Sequence, residues 1–299
     1  MTLVEEIQTL KAERKAVILA HNYTEGEVQD VADFTGDSLE LSRKAAECEA
    51  PVIAFCGVRF MAETAKILSP SAVVLHPAPD AGCPMADMAD PAAVLEWRAA
   101  HPGAVVVAYV NTTAATKTVV DICCTSGNAE RVIASIPADR EIMFLPDANL
   151  GANISKKLGR KMHLWKGCCP THAAIDPGRI ARAREEHPGA TVMIHPEAPV
   201  ASVEAADVAL STGGMLKYAH ESDARAFIVA TEHGIIHRLR KENPGKEFFP
   251  LSPPPHCPNM KKLSLENLRD ALRDMSPEIR LDDETVRLAR LPIDRMLSI

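Results

Sequence analysis

Three cysteine–proline pairs recur along the chain: Cys83-Pro84, Cys169-Pro170 and Cys257-Pro258, spaced 86 and 88 residues apart. No CxxC spacing accompanies them, so a shared ligand role requires a fold that brings three distant loops together. Three thiolates without a periodic fourth ligand suit a [4Fe–4S] cluster with one iron left open. A Cys₃His zinc site completed by His172 or His256 is the competing assignment, and spacing does not separate the two. A free cysteine is by default a small buried hydrophobe. That is the expectation for Cys48, Cys56, Cys123 and Cys124, whereas Cys168 adjoins a ligand candidate and stays ambiguous.

The same period carries a second set of polar residues. Val17-Ile18-Leu19-Ala20, Val105-Val106-Val107-Ala108 and Thr191-Val192-Met193-Ile194 read as buried strands, and they run into His21, Tyr109 and His195. Two residues further on stand Tyr23, Asn111 and Glu197. Asp33, Asp121 and Asp207 follow in the same register, and then Ser38, Ser126 and Thr212 near expected helix starts. Ligands of open parallel sheets bind beyond the carboxyl ends of the strands, and helix N-termini favour anions. One such hydroxyl is most simply a helix cap. Three in register beside polar strand ends point instead to an anion-lined cavity, with Glu197, Tyr23 and His195 as the candidates for proton transfer.

The elements that must position these residues alternate between strand and helix. Val52-Ile53-Ala54-Phe55 and Val73-Val74-Leu75 continue the first copy to Cys83, with helices expected over 39–47 and 61–68. The order implies an α/β fold with parallel sheets covered by helices. Three homologous α/β units follow, spanning 1–84, 85–170 and 171–258, related by pseudo-threefold symmetry about a central metal-cluster cavity. Residues 259–299, helical from Ser264 to Ile299, are expected to pack on the first unit. Thr2 and Glu5 form a capping box for the opening helix.

Composition narrows the function. The chain is 46% hydrophobic and 24% charged with net charge −7, which supports a large core and offers no basic footprint for nucleic acid or anionic membrane. Aromatic residues make up only 4%, which disfavours base-stacking platforms. No apolar run reaches spanning length, and the charged first fifteen residues do not read as a signal peptide. The expectation is a cytoplasmic protein whose cysteines are free thiols or metal ligands.

The chain resembles the quinolinate synthase family of de novo NAD biosynthesis, essentially end to end. The resemblance is carried by Leu19-Ala20-His21-Asn22-Tyr23, Gly36-Asp37-Ser38-Leu39, Cys83-Pro84-Met85-Ala86, Tyr109-Val110-Asn111, Cys124-Thr125-Ser126, His195-Pro196-Glu197, Ser211-Thr212-Gly213 and Asn259-Met260-Lys261-Lys262. It implies a central [4Fe–4S] cluster on Cys83, Cys169 and Cys257. It also implies condensation of iminoaspartate with dihydroxyacetone phosphate to quinolinate, phosphate and water. The active-site positions it transfers are His21, Tyr23, Ser38, Tyr109, Asn111, Ser126, His172, His195, Glu197 and Thr212. An L-aspartate oxidase supplying iminoaspartate is the partner implied. An open iron can act as a Lewis acid on a leaving hydroxyl, and Glu197 with Tyr23 is the expected base. Two local departures are Cys168 beside Cys169 and Pro258 after Cys257. Alternatives are another open-iron dehydratase, or a non-catalytic iron–sulfur sensor, for which the chain shows no basic output element.

The register of the Cys-Pro pairs makes Cys169 the ligand rather than Cys168. Anaerobic iron and sulfide analysis should find the cluster lost in Cys169→Ser and retained in Cys168→Ser. The reverse result would mean that the repeat is misaligned at this loop.

Overall fold

Residues buried on both faces of a sheet form continuous apolar runs, and each such run is a strand in the computed structural model, which describes residues 2–299. The first sheet contains β1 (Ala16–His21), β2 (Phe34–Gly36), β3 (Val52–Cys56) and β4 (Val73–Leu75). The second contains β5 (Val105–Tyr109), β6 (Ile122–Cys124), β7 (Ile142–Leu145) and β8 (His163–Leu164). The third contains β9 (Thr191–Ile194), β10 (Val208–Ala209), β11 (Ala226–Ala230) and β12 (Glu247–Pro250). Their orders are β2-β1-β3-β4, β6-β5-β7-β8 and β10-β9-β11-β12, and every ladder is parallel. The protein is thus an α/β fold of three repeated units.

Alternate strand residues serve two cores. Leu19, Ile53, Phe55, Met193, Phe227 and Val229 face one large cluster shared by all three units. Ile18, Ala20 and Ala54 instead face an outer cluster with Ile7, Leu268 and Leu272, and Val192, Ile194 and Ile228 face another with Ile175 and Ile180. Cys56, Cys123 and Cys124 are buried within these cores, as expected of packing thiols.

The structure adds elements that periodicity did not reveal. The edge strands β2, β6 and β10 have only two or three residues each, too few for a pattern to show. The expected helix starts also shift. Asp37, Thr125 and Ser211 are the residues whose side chains accept N–H groups of the following turn, through Leu39 and Glu40, Gly127, and Gly214. Ser38 and Thr212 then open helices Ser38–Glu47 and Thr212–Glu221, but Ser126 lies in a turn ahead of Ala129–Ser135. The capping box at Thr2 and Glu5 is formed. Beyond Cys257 come two helices. Leu265–Asp274 packs on Leu3–Arg14 of the first unit, whereas Asp283–Leu297 lies chiefly across β6 and Ala114–Lys117 of the second and also reaches Arg59–Leu68.

The repeated aspartates fasten each unit. Asp33, Asp121 and Asp207 accept the backbone N–H of Ile18, Val106 and Val192 at 2.8, 2.8 and 2.7 Å. Each also pairs with a cation from its unit's first helix: Lys11, Arg98 or Arg184. The carboxylate therefore ties edge-strand loop, central strand and covering helix together. Replacing Asp121 with Ala leaves the Val106 N–H unpaired in the core and should cost about 1–3 kcal/mol. Asp121→Asn keeps an acceptor oxygen and loses mainly a half-exposed ion pair, worth about 0–1 kcal/mol. Denaturant midpoints of the two variants check this, and equal losses would mean that the strand N–H bond is not the stabilising contact.

Candidate active site

All strands of a unit end on the same side, and the three units pool their carboxyl ends around one cavity of about 160 Å³. His21, Tyr23, Ser38, Tyr109, Asn111 and Ser126 line it, as do His172, His195, Glu197 and Thr212. Cys83, Cys169 and Cys257 line it too, while Cys168 does not. Every site residue transferred by the resemblance is thus brought together, whereas the repeated Asp33, Asp121 and Asp207 do not line the cavity.

The histidines at the strand ends have fixed tautomers. The N–H of Tyr23 donates to His21 Nδ1 at 3.2 Å, and the N–H of Glu197 donates to His195 Nδ1 at 3.3 Å. An accepting Nδ1 leaves the proton on Nε2. Burial, followed by the neighbouring His195, pushes His21 down to about 3, and burial does the same to His195 against the pull of Glu197. Both rings are therefore neutral N–H donors. His195 Nε2 stands 3.2 Å from Ser126 Oγ.

A buried chain of side chains crosses the cavity. Tyr23 Oη meets Thr231 Oγ1 at 2.5 Å, and Thr231 Oγ1 meets His172 Nε2 at 2.8 Å. His172 Nδ1 is 2.8 Å from Glu197 Oε2, and the Tyr109 hydroxyl donates to Glu197 Oε1 at 2.5 Å. Burial alone would raise the Glu197 carboxyl; His172, His195 and the hydrogen bonds from His172 and Tyr109 outweigh it and hold the group below the usual carboxylate range. Burial, reinforced by the Glu197 charge, raises both tyrosines well above their ordinary value. Since the carboxylate can only accept, His172 carries its proton on Nδ1 and turns the Nε2 lone pair to Thr231.

Sequence periodicity missed Thr231, because its counterparts in register are Gly57 and Pro146. Asp147 and Glu232 each stand two residues past the end of their strands β7 and β11. Asp147 Oδ2 accepts the Cys169 N–H and Glu232 Oε1 the Cys257 N–H, both at 3.3 Å. Burial, then the Glu197 charge, pushes Asp147 up to about 7. Glu232 also holds Lys261, whose Nζ donates to the Tyr23 carbonyl at 2.8 Å.

The three cysteine loops share a local design. Cys83 and Cys169 are the N-cap residues of the short helices Pro84–Asp87 and Pro170–Ala173, and Cys257 stands two residues ahead of the N-cap of the 3-10 turn Met260–Lys262. Burial pushes Cys83 up to about 12 and raises Cys169 and Cys257, so the thiolate forms require a cation among them. This donor set fits a metal centre held from three sides. Of the two candidate fourth ligands, His172 lines the cavity with Nδ1 3.2 Å from Cys169 Sγ and 2.8 Å from Glu197 Oε2, whereas His256 stacks on His233 with ring centroids 5.6 Å apart and does not line the cavity.

Two amides complete the site, Asn111 in the cavity lining and Asn22 buried behind it. Asn111 Oδ1 is buried without a partner and awaits a donor. Arg238 Nη1 donates to Asn22 Oδ1 at 3.0 Å, and Asn22 Nδ2 donates to Thr212 Oγ1 at 3.1 Å. The Thr212 hydrogen is thereby free for a ligand. Asn22→Asp keeps an acceptor for Arg238 but turns the Thr212 hydroxyl onto itself. Loss of one hydrogen bond to a charged group, about 1.5–3 kcal/mol, should weaken binding of a small dicarboxylate by at least roughly tenfold. Calorimetric titration checks it, and a Thr212→Val partner should make the double variant no worse than either single one. Additive losses would disconnect Asn22 from the Thr212 hydroxyl.

Comparison with known proteins converges on the same assignment. The family model described as "NadA: Quinolinate synthetase A protein" matches residues 5–298. Curated relatives named quinolinate synthase include one from Geobacter metallireducens, 51% identical over 100% of this chain and 98% of its own. One from Methanoregula boonei is 50% identical over 99% and 98% of the two chains, and one from Thermus thermophilus is 47% identical over 99% and 97%. With a fold of three repeated α/β units, one shared cavity and full-length similarity, the chain belongs to the quinolinate synthase family.

Proposed function

We propose that this protein is a quinolinate synthase of NAD biosynthesis. It condenses iminoaspartate with dihydroxyacetone phosphate, releasing phosphate and water. Cys83, Cys169 and Cys257 would hold its [4Fe–4S] cluster. The observation that carries this reading is the placement of three thiols, one from each repeat, and the Tyr23–Thr231–His172–Glu197–Tyr109 chain at one cavity. When bound, a cluster with three cysteine ligands supplies an open iron, a Lewis acid toward a leaving hydroxyl.

The remaining chemistry is assigned to the chain's own residues. Both substrates are anionic and the protein is acidic overall, so local donors must bind them. The neutral Nε2–H groups of His21 and His195 and the hydroxyls of Ser38, Ser126 and Thr212 serve this purpose without a full positive charge. The orphan Asn111 Oδ1 accepts an N–H or O–H from the bound substrate. Proton transfer belongs to Tyr23: as its oxygen takes a proton from the substrate, its own hydroxyl proton moves to Thr231 and the Thr231 proton to His172 Nε2. Glu197, held below the ordinary carboxylate range, is too weak a base to act alone. It keeps the other imidazole proton on Nδ1 and stabilises the imidazolium that forms. Iminoaspartate supplied by an L-aspartate oxidase and a cytoplasmic location belong to the same reading; no helix among the described residues is long and apolar enough to cross a membrane.

Glu197→Gln preserves size and leaves an acceptor for Tyr109 but removes the charge that orders His172. Turnover of dihydroxyacetone phosphate and enzymatically generated iminoaspartate to quinolinate, measured anaerobically, should fall about 10²–10⁴-fold. Iron and sulfide content should not change. Near wild-type turnover with a full cluster would remove Glu197 from the mechanism. Absence of quinolinate from the cluster-loaded wild-type protein would favour another open-iron dehydratase.

A further inference from the structure

The second unit carries a cluster of side chains at the amino ends of its strands, away from the cavity that collects the carboxyl ends. His101 ends helix Pro91–Ala100, Glu141 precedes β7, and His163 opens β8. One imidazole nitrogen from each histidine and one carboxylate oxygen all lie within 4.8 Å of one another. None of them takes part in the chemistry described above.

The ligand atoms are already oriented. His101 Nδ1 lies 2.9 Å from the Trp97 carbonyl oxygen. A carbonyl can only accept, so Nδ1 bears the hydrogen and the Nε2 lone pair is free. The ring is stacked on Trp97 with centroids 4.0 Å apart and planes at 11°. A metal-ligating histidine commonly donates its other N–H to a backbone carbonyl in this way. His163 Nε2 stands 2.5 Å from Glu141 Oε1, and its ring centroid is 5.3 Å from that of His101.

We propose that His101, Glu141 and His163 form a surface site for a divalent transition metal of the zinc type. Two imidazoles and one carboxylate are a zinc donor set, with the fourth tetrahedral position left to water. Calcium and magnesium, which take oxygen ligands and more of them, do not match it. The cation takes the place of the proton now shared between His163 Nε2 and Glu141 Oε1. Its ligands come from the helix end, the start of a central strand and a two-residue edge strand, so binding fastens the edge of the sheet to its covering helix. A ligand that binds only the folded state raises stability by mass action.

Zinc titrated anaerobically into the cluster-loaded protein against a chromophoric chelator tests this, with cluster absorbance followed in the same sample. The wild type should take up one Zn²⁺ per chain with the cluster absorbance unchanged and should unfold at higher temperature once loaded. His163→Gln and Glu141→Gln should each bind zinc at least 10-fold more weakly, since even an outer partner of a metal ligand is worth about 10–100-fold. Both substitutions lie on the surface and preserve size. Unchanged zinc affinity in both variants would overturn the proposal, as would zinc uptake by the wild type only with loss of cluster absorbance.

Discussion

A carboxylate with 3% exposure, on Glu197, is the demand around which the cavity is arranged. A charge removed from water must be paired and hydrogen-bonded, and each of its oxygens is served: Oε1 by Tyr109 and Oε2 by His172. Serving it sets the His172 tautomer, which sets the direction of the Thr231 hydrogen bond and so reaches Tyr23. Tyr109 comes from the second unit, Tyr23 from the first, and His172, Glu197 and Thr231 from the third. Satisfying one buried charge therefore draws all three units onto a common centre.

The threefold plan is strict in scaffolding and loose in chemistry. Strand order and the aspartate that fastens strand to helix are repeated in all units, and a side chain ahead of Ser38, Ser126 and Thr212 accepts an N–H of the following turn in each. Near the cavity the copies diverge. A buried acid supports the cysteine loop in two units, through Asp147 and Glu232, while Val58 occupies that register in the first. A ring of identical groups would suit a symmetric ion, whereas an asymmetric organic reaction needs donors, acceptors and proton carriers at distinct points.

This division explains what could be read beforehand. The central strands were legible because burial on both faces demands unbroken apolar runs, and their ends were legible because polar residues interrupt those runs at a fixed period. The edge strands β2, β6 and β10 were not, since two or three residues are too few to carry a pattern. The helix starts were legible at Ser38 and Thr212 to within a residue, and the caps are the preceding Asp37 and Ser211. Thr231 had no signal: its role depends on a partner 59 residues away and on no repeated counterpart. Asp33, Asp121 and Asp207 show the opposite case, plain in position and silent about purpose until the strand N–H groups they hold were seen.

The contribution of all three units to one cavity also sets the timing of its assembly. Its lining begins at His21 and is incomplete until Cys257 and the residues just after it have been added. Lys261, which grips the Tyr23 backbone, comes later still. The large core is likewise shared by all three units, so the inner faces of the sheets and the cavity are completed together, once the third unit is in place. On this fold the capacity to hold a metal centre arises late in synthesis.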